Sequence, residues 1–397
     1  GLSAIYSDTN LAFRWLAHDP TKEIKAFYQL NHAKDYATFL NALSDFDCPC
    51  QNFVYADISG NIGMYHRGKL PIRCSTNGKG ILPGNQSEYL WEYLDSTDFI
   101  PSNHLPKVKN PDRGYVSSAN QYPAPEDYPY YLPGIYWPSH RANRINTLLD
   151  TMTLKGNIDI KKMAEIQNDS YNNFAESILD MLLNSIENKI SNEEEILFFN
   201  ALVHWDKKHY ADMVEPIIFD QWYENINNAV WEDLFINHKD FKTLPSHLYP
   251  LYDVLEQLII NEESSSNWFG DSLIIHSIIW ETFQETIKEL KENEKLKNKA
   301  FSEWKYSDFR GTDIHHIISS SNFDAFSQLN IPTGGSKWSP NAMQKKFGPS
   351  WRYIVELKKD SVHAIGIYPG GQSGDPGSKF YDNYIDSWNK GNYLDLN

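Results

Sequence analysis

The feature that most restricts this fold is a change of period. From Arg141 to about Phe301 the apolar residues recur at helical spacing, while on either side they alternate in strand fashion. Within the block, Met163, Ile166, Ser170, Phe174, Ile178 and Leu182 keep one face at steps of three and four. EEEILFFNALVHWD and SLIIHSIIWETFQETIKEL read as further helices. Strands gathered at the two ends of a helical middle fit an α+β arrangement. A doubly wound sheet needs strands and helices to alternate, and they do not.

Ahead of the block, LAFRWLAHDP is strand-like and stops at a proline. TKEIKAFYQLN is a helix with Thr21 available as its cap and Glu23 in the first turn. KDYATFLNAL is a second short helix. QNFVYADISGNIGMYH (51–66) alternates on both arms around Ser59-Gly60-Asn61, which predicts a β-hairpin. Residues 67–113, rich in Pro and Gly, read as a long irregular loop. Then Gly114, Tyr115 and Val116 form a strand-like run, followed by Asn120, Gln121 and three prolines at 123, 125 and 129. After the block, SWRYIVEL (350–357) and SVHAIGIYPG (361–370) are two strands joined by a short turn. A Gly/Pro-rich tail and a short aromatic helix close the chain. The stretches are 1–144, 145–300 and 301–397, taken as parts of one structural unit.

Composition excludes some function classes. The net charge is −16 and no stripe of Lys and Arg is present, so a nucleic-acid surface is not expected. The Lys-rich run 288–299 alternates with Glu and reads as a solvated helix face. No run is long enough to span a membrane. Cys48, Cys50 and Cys74 supply no zinc set, and the C-P-C pair is too tight to bridge comfortably. His315 and His316 are adjacent, so on a strand they face opposite sides and do not make one metal site. GGQSGDPG lacks the Lys-Ser/Thr of a phosphate loop, and a turn in which Ser373 and Asp375 bond backbone fits it better.

Six stretches, in order and spread over nearly the whole chain, resemble the penicillin amidase family of N-terminal nucleophile hydrolases. They are LAFRWLAHDP, NFVYADISGNIGMYHRGKLPIR, GYVSSANQ, HRANRI, GPSWRYIVEL and GGQSGDPGSKFYDNY. In the last, Phe380 and Tyr384 stand where many relatives carry His and Gln, while Gly371, Gly374, Asp375, Gly377 and Asp382 persist. The resemblance implies part of a four-layer αββα sandwich with a large helical insertion. It implies an amidase or acylase that cleaves a linear amide of an N-acyl small molecule, such as an acylated β-lactam or an acyl-homoserine lactone. Autoprocessing, antibiotic metabolism and a periplasmic or secreted setting belong to the same implication.

On local sequence alone Asn120 reads as the cap of the turn before Pro123; by the resemblance it matches the family's oxyanion-hole Asn. A carboxamide N–H aimed at the developing oxyanion lowers the barrier to amide cleavage without changing its own charge. Arg144 matches an Arg near the nucleophile's amine, where a fixed cation disfavours protonation. Tyr115 and Tyr122 are candidates for an aromatic acyl pocket, or for ordinary core. The family's attacking group is a serine at the start of the β-subunit, and this chain matches a region well inside that subunit. The expectation is therefore a fragment without the α-subunit and the first β-segment, inactive by itself and prone to self-association. The alternative is a non-catalytic paralogue or partner-binding module. No cofactor is expected. Some relatives hold a structural calcium, but Tyr131 and Leu132 occupy the region where one carboxylate ligand belongs, which argues against it here.

Overall fold

The computed structural model describes residues 15–73, 82–86, 99–132, 134, 136–156, 158–237, 252–318 and 324–396. Contacts divide the chain into two compact units, 1–139 with 357–361 and 140–356 with 362–397.

The first unit opens with helices α1 (Glu23–Leu30) and α2 (Tyr36–Ala42). Asp35 caps α2: its carboxylate accepts from Thr38 N at 2.8 Å, and Thr38 Oγ1 accepts from Asp35 N at 3.1 Å. Thr21 does not cap α1. The N-cap is Lys22, with no side-chain bond, and the Thr21 hydroxyl donates to the Glu23 carboxylate instead. Glu23 also accepts from Cys48 N at 2.8 Å, which ties α1 to the chain ahead of the sheet.

Strands β1 (Gln51–Ala56) and β2 (Ile62–Arg67) form the expected hairpin. The Asp57 carboxylate accepts from Ser59 N at 2.9 Å and Asn61 N at 3.0 Å, and Gly60 takes the positive φ of 83° that the turn requires. A short β3 (Lys107–Lys109) adds to β2 to complete an antiparallel sheet. Phe39, Leu43, Phe46 and Tyr65 pack beneath it with Leu70, Leu105 and Leu132. Residues 115–118 carry no strand assignment, contrary to the strand-like reading of the run beginning at Gly114.

The second unit is mostly helical. It contains α3 (His140–Lys155), α4 (Ile160–Gln167), α5 (Asn173–Ile186), α6 (Glu193–Val203) and α7 (Glu215–Asn237). These are followed by α8 (Tyr252–Ile260), α9 (Glu262–Phe269), α10 (Leu273–Glu292) and α11 (Tyr306–Phe309). The core is built on α5, α6, α7 and α10, with Phe174, Ile178, Leu182, Phe198, Trp222 and Phe283 at its centre. Trp222 meets Phe283 at 4.9 Å, and its indole N–H donates to Ile279 O at 3.1 Å. The polar end of a large buried ring is thus satisfied.

The long helical face expected from Met163 to Leu182 is interrupted. Helix α4 stops at Gln167, and residues 168–172 run beside 207–209: Lys207 O accepts from Asn172 N at 2.8 Å and Ser170 O accepts from His209 N at 3.0 Å. Asn172 then caps α5, accepting from Phe174 N and Ala175 N at 3.0 Å each. Asn, Asp and Ser compete for backbone hydrogen bonds in non-helical conformations, so the Asn168-Asp169-Ser170 run breaks the helix although the apolar spacing continues.

Two small sheets close the unit: β4 (Thr312–Ile314) with β5 (Gln328–Ile331), and β6 (Arg352–Lys358), β7 (Ser361–Ile367) and β8 (Leu394–Asp395) in that order. Helix α12 (Ile385–Asn389) places Trp388 in a cluster with Ile331, Met343 and Ile367. Strand β4 ends before the His pair; His315 is exposed and His316 half-buried. In the tail, Ser373 accepts from Asp375 N at 3.1 Å and Asp375 from Gly377 N at 2.9 Å, a local turn.

Candidate active site

Asn120 is held in an unusual backbone state. Its φ is +68°, a left-handed conformation that Asn tolerates better than most residues with a Cβ, and its side chain is exposed. Two bonds fix the bend around it: Asn120 O accepts from Trp137 N at 2.9 Å, and the Gln121 carboxamide oxygen accepts from Ala119 N at 2.6 Å. Buried Ala119 anchors the bend while Asn120 faces outward.

The polar chemistry behind this segment escaped the reading of motifs. Asn52 on β1 donates from Nδ2 to Ser118 Oγ at 2.8 Å. Its Oδ1 lies 2.6 Å from Nδ1 of His66, the residue directly opposite on β2. His66 Nε2 lies 3.3 Å from Cys50 Sγ. Burial lowers the His66 pKa and pushes the Cys50 thiol up to about 12, so the thiol keeps its proton. A sequence signal existed, since Asn52 and His66 sit at opposed positions of a hairpin whose turn was legible.

Tyr115 is buried, with the Arg113 guanidinium 4.5 Å from its ring centre and its carbonyl accepting from Arg113 Nε at 3.0 Å. Tyr122 is exposed and meets Tyr136 edge-on at 5.0 Å. Burial raises the Tyr136 phenol well above its usual range.

Arg144, on the second turn of α3, is engaged by a residue the motifs did not single out. Its Nε donates to Asp169 Oδ1 at 3.0 Å and its Nη2 to Asp169 Oδ2 at 2.7 Å, a two-point ion pair. The guanidinium also stacks on Tyr171 at 4.3 Å. The hydrogen bond to Asp169, more than any other contact, raises the Arg144 pKa. Asp169 sits in the helix break, where its Oδ1 also accepts from Tyr171 N at 3.1 Å and its carbonyl from Asn341 N at 2.9 Å. From Asn341 the network continues to buried Arg352, whose Nη2 donates to Asn341 Oδ1 at 2.8 Å. Arg141 is half-buried, and burial lowers its pKa. Asn120 and Arg144 fall in different units, and each is described within its own.

Two pockets open in the second unit. One, of about 450 Å³, lies between α6 and α10 and is lined by Glu194, Glu195, Gln284 and Lys291. The other, of about 210 Å³, is lined by Asp220, Tyr306, Arg310 and Trp338. Neither includes Arg144.

No group of three or more His, Cys, Asp or Glu among the described residues is placed to hold a metal ion. Leu132 is buried in the apolar cluster of the first unit. Cys48 and Cys50 are free thiols, and Cys74 lies outside the described residues.

The pattern that defines penicillin amidase matches residues 3–397. The chain belongs to the penicillin amidase family. An acyl-homoserine lactone acylase of Pseudomonas syringae is 24% identical over 94% of this chain and 47% of its own length. Penicillin acylase 2 proenzyme of a Pseudomonas strain is 29% identical over 36% of this chain and 16% of its own. Among solved structures, a thermostable penicillin G acylase from Alcaligenes faecalis matches at a TM-score of 0.64. That match has 18% identity and covers 94% of this chain and 70% of the other. The fold is therefore that of the penicillin G acylase, mixed helix and sheet with a large helical region. The chain spans about half the length of the curated acyl-homoserine lactone acylase it matches.

Proposed function

We propose that this chain is the later β-subunit portion of an acylase that hydrolyses the linear amide of an N-acyl small molecule. The attacking serine would stand outside residues 1–397, in keeping with the share of its relatives' length that the chain matches. Its own α-amine would take the hydroxyl proton as the oxygen attacks the carbonyl. The carboxamide of Asn120 would donate to the oxyanion, and the protonated amine would return its proton to the leaving nitrogen. Water would then release the acid from the ester. Arg144 would disfavour protonation of the serine amine. Its pairing with Asp169 makes this a fixed but partly neutralised cation, with Nη1 outside the pair. Tyr122 is exposed and able to meet an acyl chain, whereas Tyr115 is packed inside.

The observation that carries this reading is the exposed Asn120 on a left-handed bend, within the stretch that carries the family resemblance. Acyl-homoserine lactones are the first substrates to try, because relatives named for them match 94% of this chain. Partners are the segment bearing the serine and the α-subunit. Exposed apolar side chains support such packing: Ile24, Phe27 and Tyr28 on α1, and Trp351, Tyr353 and Val355 at β6. A periplasmic or secreted setting goes with the same reading. The test is incubation of the full-length protein with N-acyl-homoserine lactones and N-acyl β-lactams. Equal amounts of free amine and carboxylic acid are expected, with the lactone or lactam ring intact. Ring opening without release of amine would contradict the proposal.

A further inference from the structure

We propose that Cys50, His66 and Asn52 form a hydrogen-bonded relay that positions Ser118 and, through it, the Asn120 carboxamide for acyl transfer. This rests on the hydrolase reading above.

The relay runs in one direction. The Cys50 S–H donates to His66 Nε2 at 3.3 Å, His66 Nδ1–H to Asn52 Oδ1 at 2.6 Å, and Asn52 Nδ2–H to Ser118 Oγ at 2.8 Å. The assignment follows from chemistry. A thiol held up at about 12 keeps its proton and donates it, so the imidazole accepts at Nε2 and carries its own proton on Nδ1. That orients the Asn52 amide with its oxygen toward His66 and its NH₂ toward Ser118. The same protonated thiol is a poor nucleophile at neutral pH, so the three residues do not act as a second hydrolytic triad.

Each member is anchored. Asn52 and His66 are direct cross-strand partners in the β1–β2 ladder, and His66 is buried. Cys50 is seated against Gly68, whose φ is +155° and where a Cβ would come within 2.8 Å of Cys50 Cα and Sγ. The relay therefore ends a rigid sheet on Ser118, two residues before Asn120. An oxyanion donor gains its effect from being aimed beforehand, and Ser118 holds the backbone two residues ahead of Asn120 to the sheet. Asn52, His66 and Cys50 are thus positioning residues.

The test compares Asn52→Ala and Ser118→Ala in the full-length protein. Ser118 is exposed, so its truncation leaves the sheet intact. Amide hydrogen exchange over residues 117–121 is expected to accelerate about tenfold in both variants, with exchange in β1 and β2 unchanged for Ser118→Ala. On an N-acyl nitroanilide, kcat is expected to fall roughly 10- to 100-fold with KM little changed. The double variant should be no worse than Asn52→Ala alone. Unchanged exchange over 117–121, additive losses, or a loss confined to KM would each overturn the relay. A wild-type protein that cleaves no N-acyl probe would overturn the hydrolase reading and the catalytic part of this proposal. Faster exchange in that case would show a relay that only orders the bend.

Discussion

At the scale of single residues, ion pairing and burial decide what the candidate groups can do. Arg144 is a cation already paired, so its contribution depends on Asp169. Replacing Asp169→Asn keeps the shape but removes the charge and weakens both bonds. The expected loss of stability is about 1.5–3 kcal/mol, the range for hydrogen bonds to charged groups, read from urea unfolding. Loss below ~0.5 kcal/mol would show a pair that holds nothing. His66 makes a pH prediction. Burial lowers its folded pKa below the ordinary 6.5. The unfolded chain therefore binds the proton first as pH falls, and stability is lost downward from about pH 6.5 until the folded imidazole also protonates. His66→Gln should flatten that part of the stability-against-pH curve, measured by thermal unfolding between pH 7.5 and 5. An unchanged slope would show that another group controls it.

At the scale of elements, the helix break at 168–172 shows what periodicity reports and what it omits. Ile166, Phe174, Ile178 and Leu182 are all buried, as their spacing required, yet the chain between Gln167 and Asn173 is not helical. Apolar spacing senses the core face; the break is made by polar residues that satisfy local backbone groups, and Asp169 is among them. The hairpin and the β6–β7 pair were legible because turn residues and alternation agreed there, and α2, α6 and α10 because their apolar residues recur at helical spacing. The run beginning at Gly114 was misread as strand because its extended residues look the same whether or not a ladder forms. Asn120 stood out in the sequence, but its left-handed backbone did not. The partners Asp169, Asn52 and His66 were hidden because each pairing joins residues distant in sequence or across a ladder. Asn172→Ala should cost about 1–2 kcal/mol through the lost cap of α5, measured as a shift in the denaturant midpoint. A change within ±0.3 kcal/mol would show that the tertiary contacts of α5, not its cap, set the helix start.

At the scale of the whole molecule, the family assignment, the matched share of its relatives and the exposed apolar residues on α1 and β6 point the same way. Residues 1–397 expressed alone are expected to self-associate with rising concentration in sedimentation velocity, and to show no amidase turnover. The account's central claim is the oxyanion donor. The direct measurement is kcat/KM of full-length Asn120→Ala on an N-acyl substrate, alongside its circular dichroism and melting temperature. The account predicts a fall on the order of 10²–10³ with the fold intact. Activity within a factor of two of the unaltered protein would contradict it.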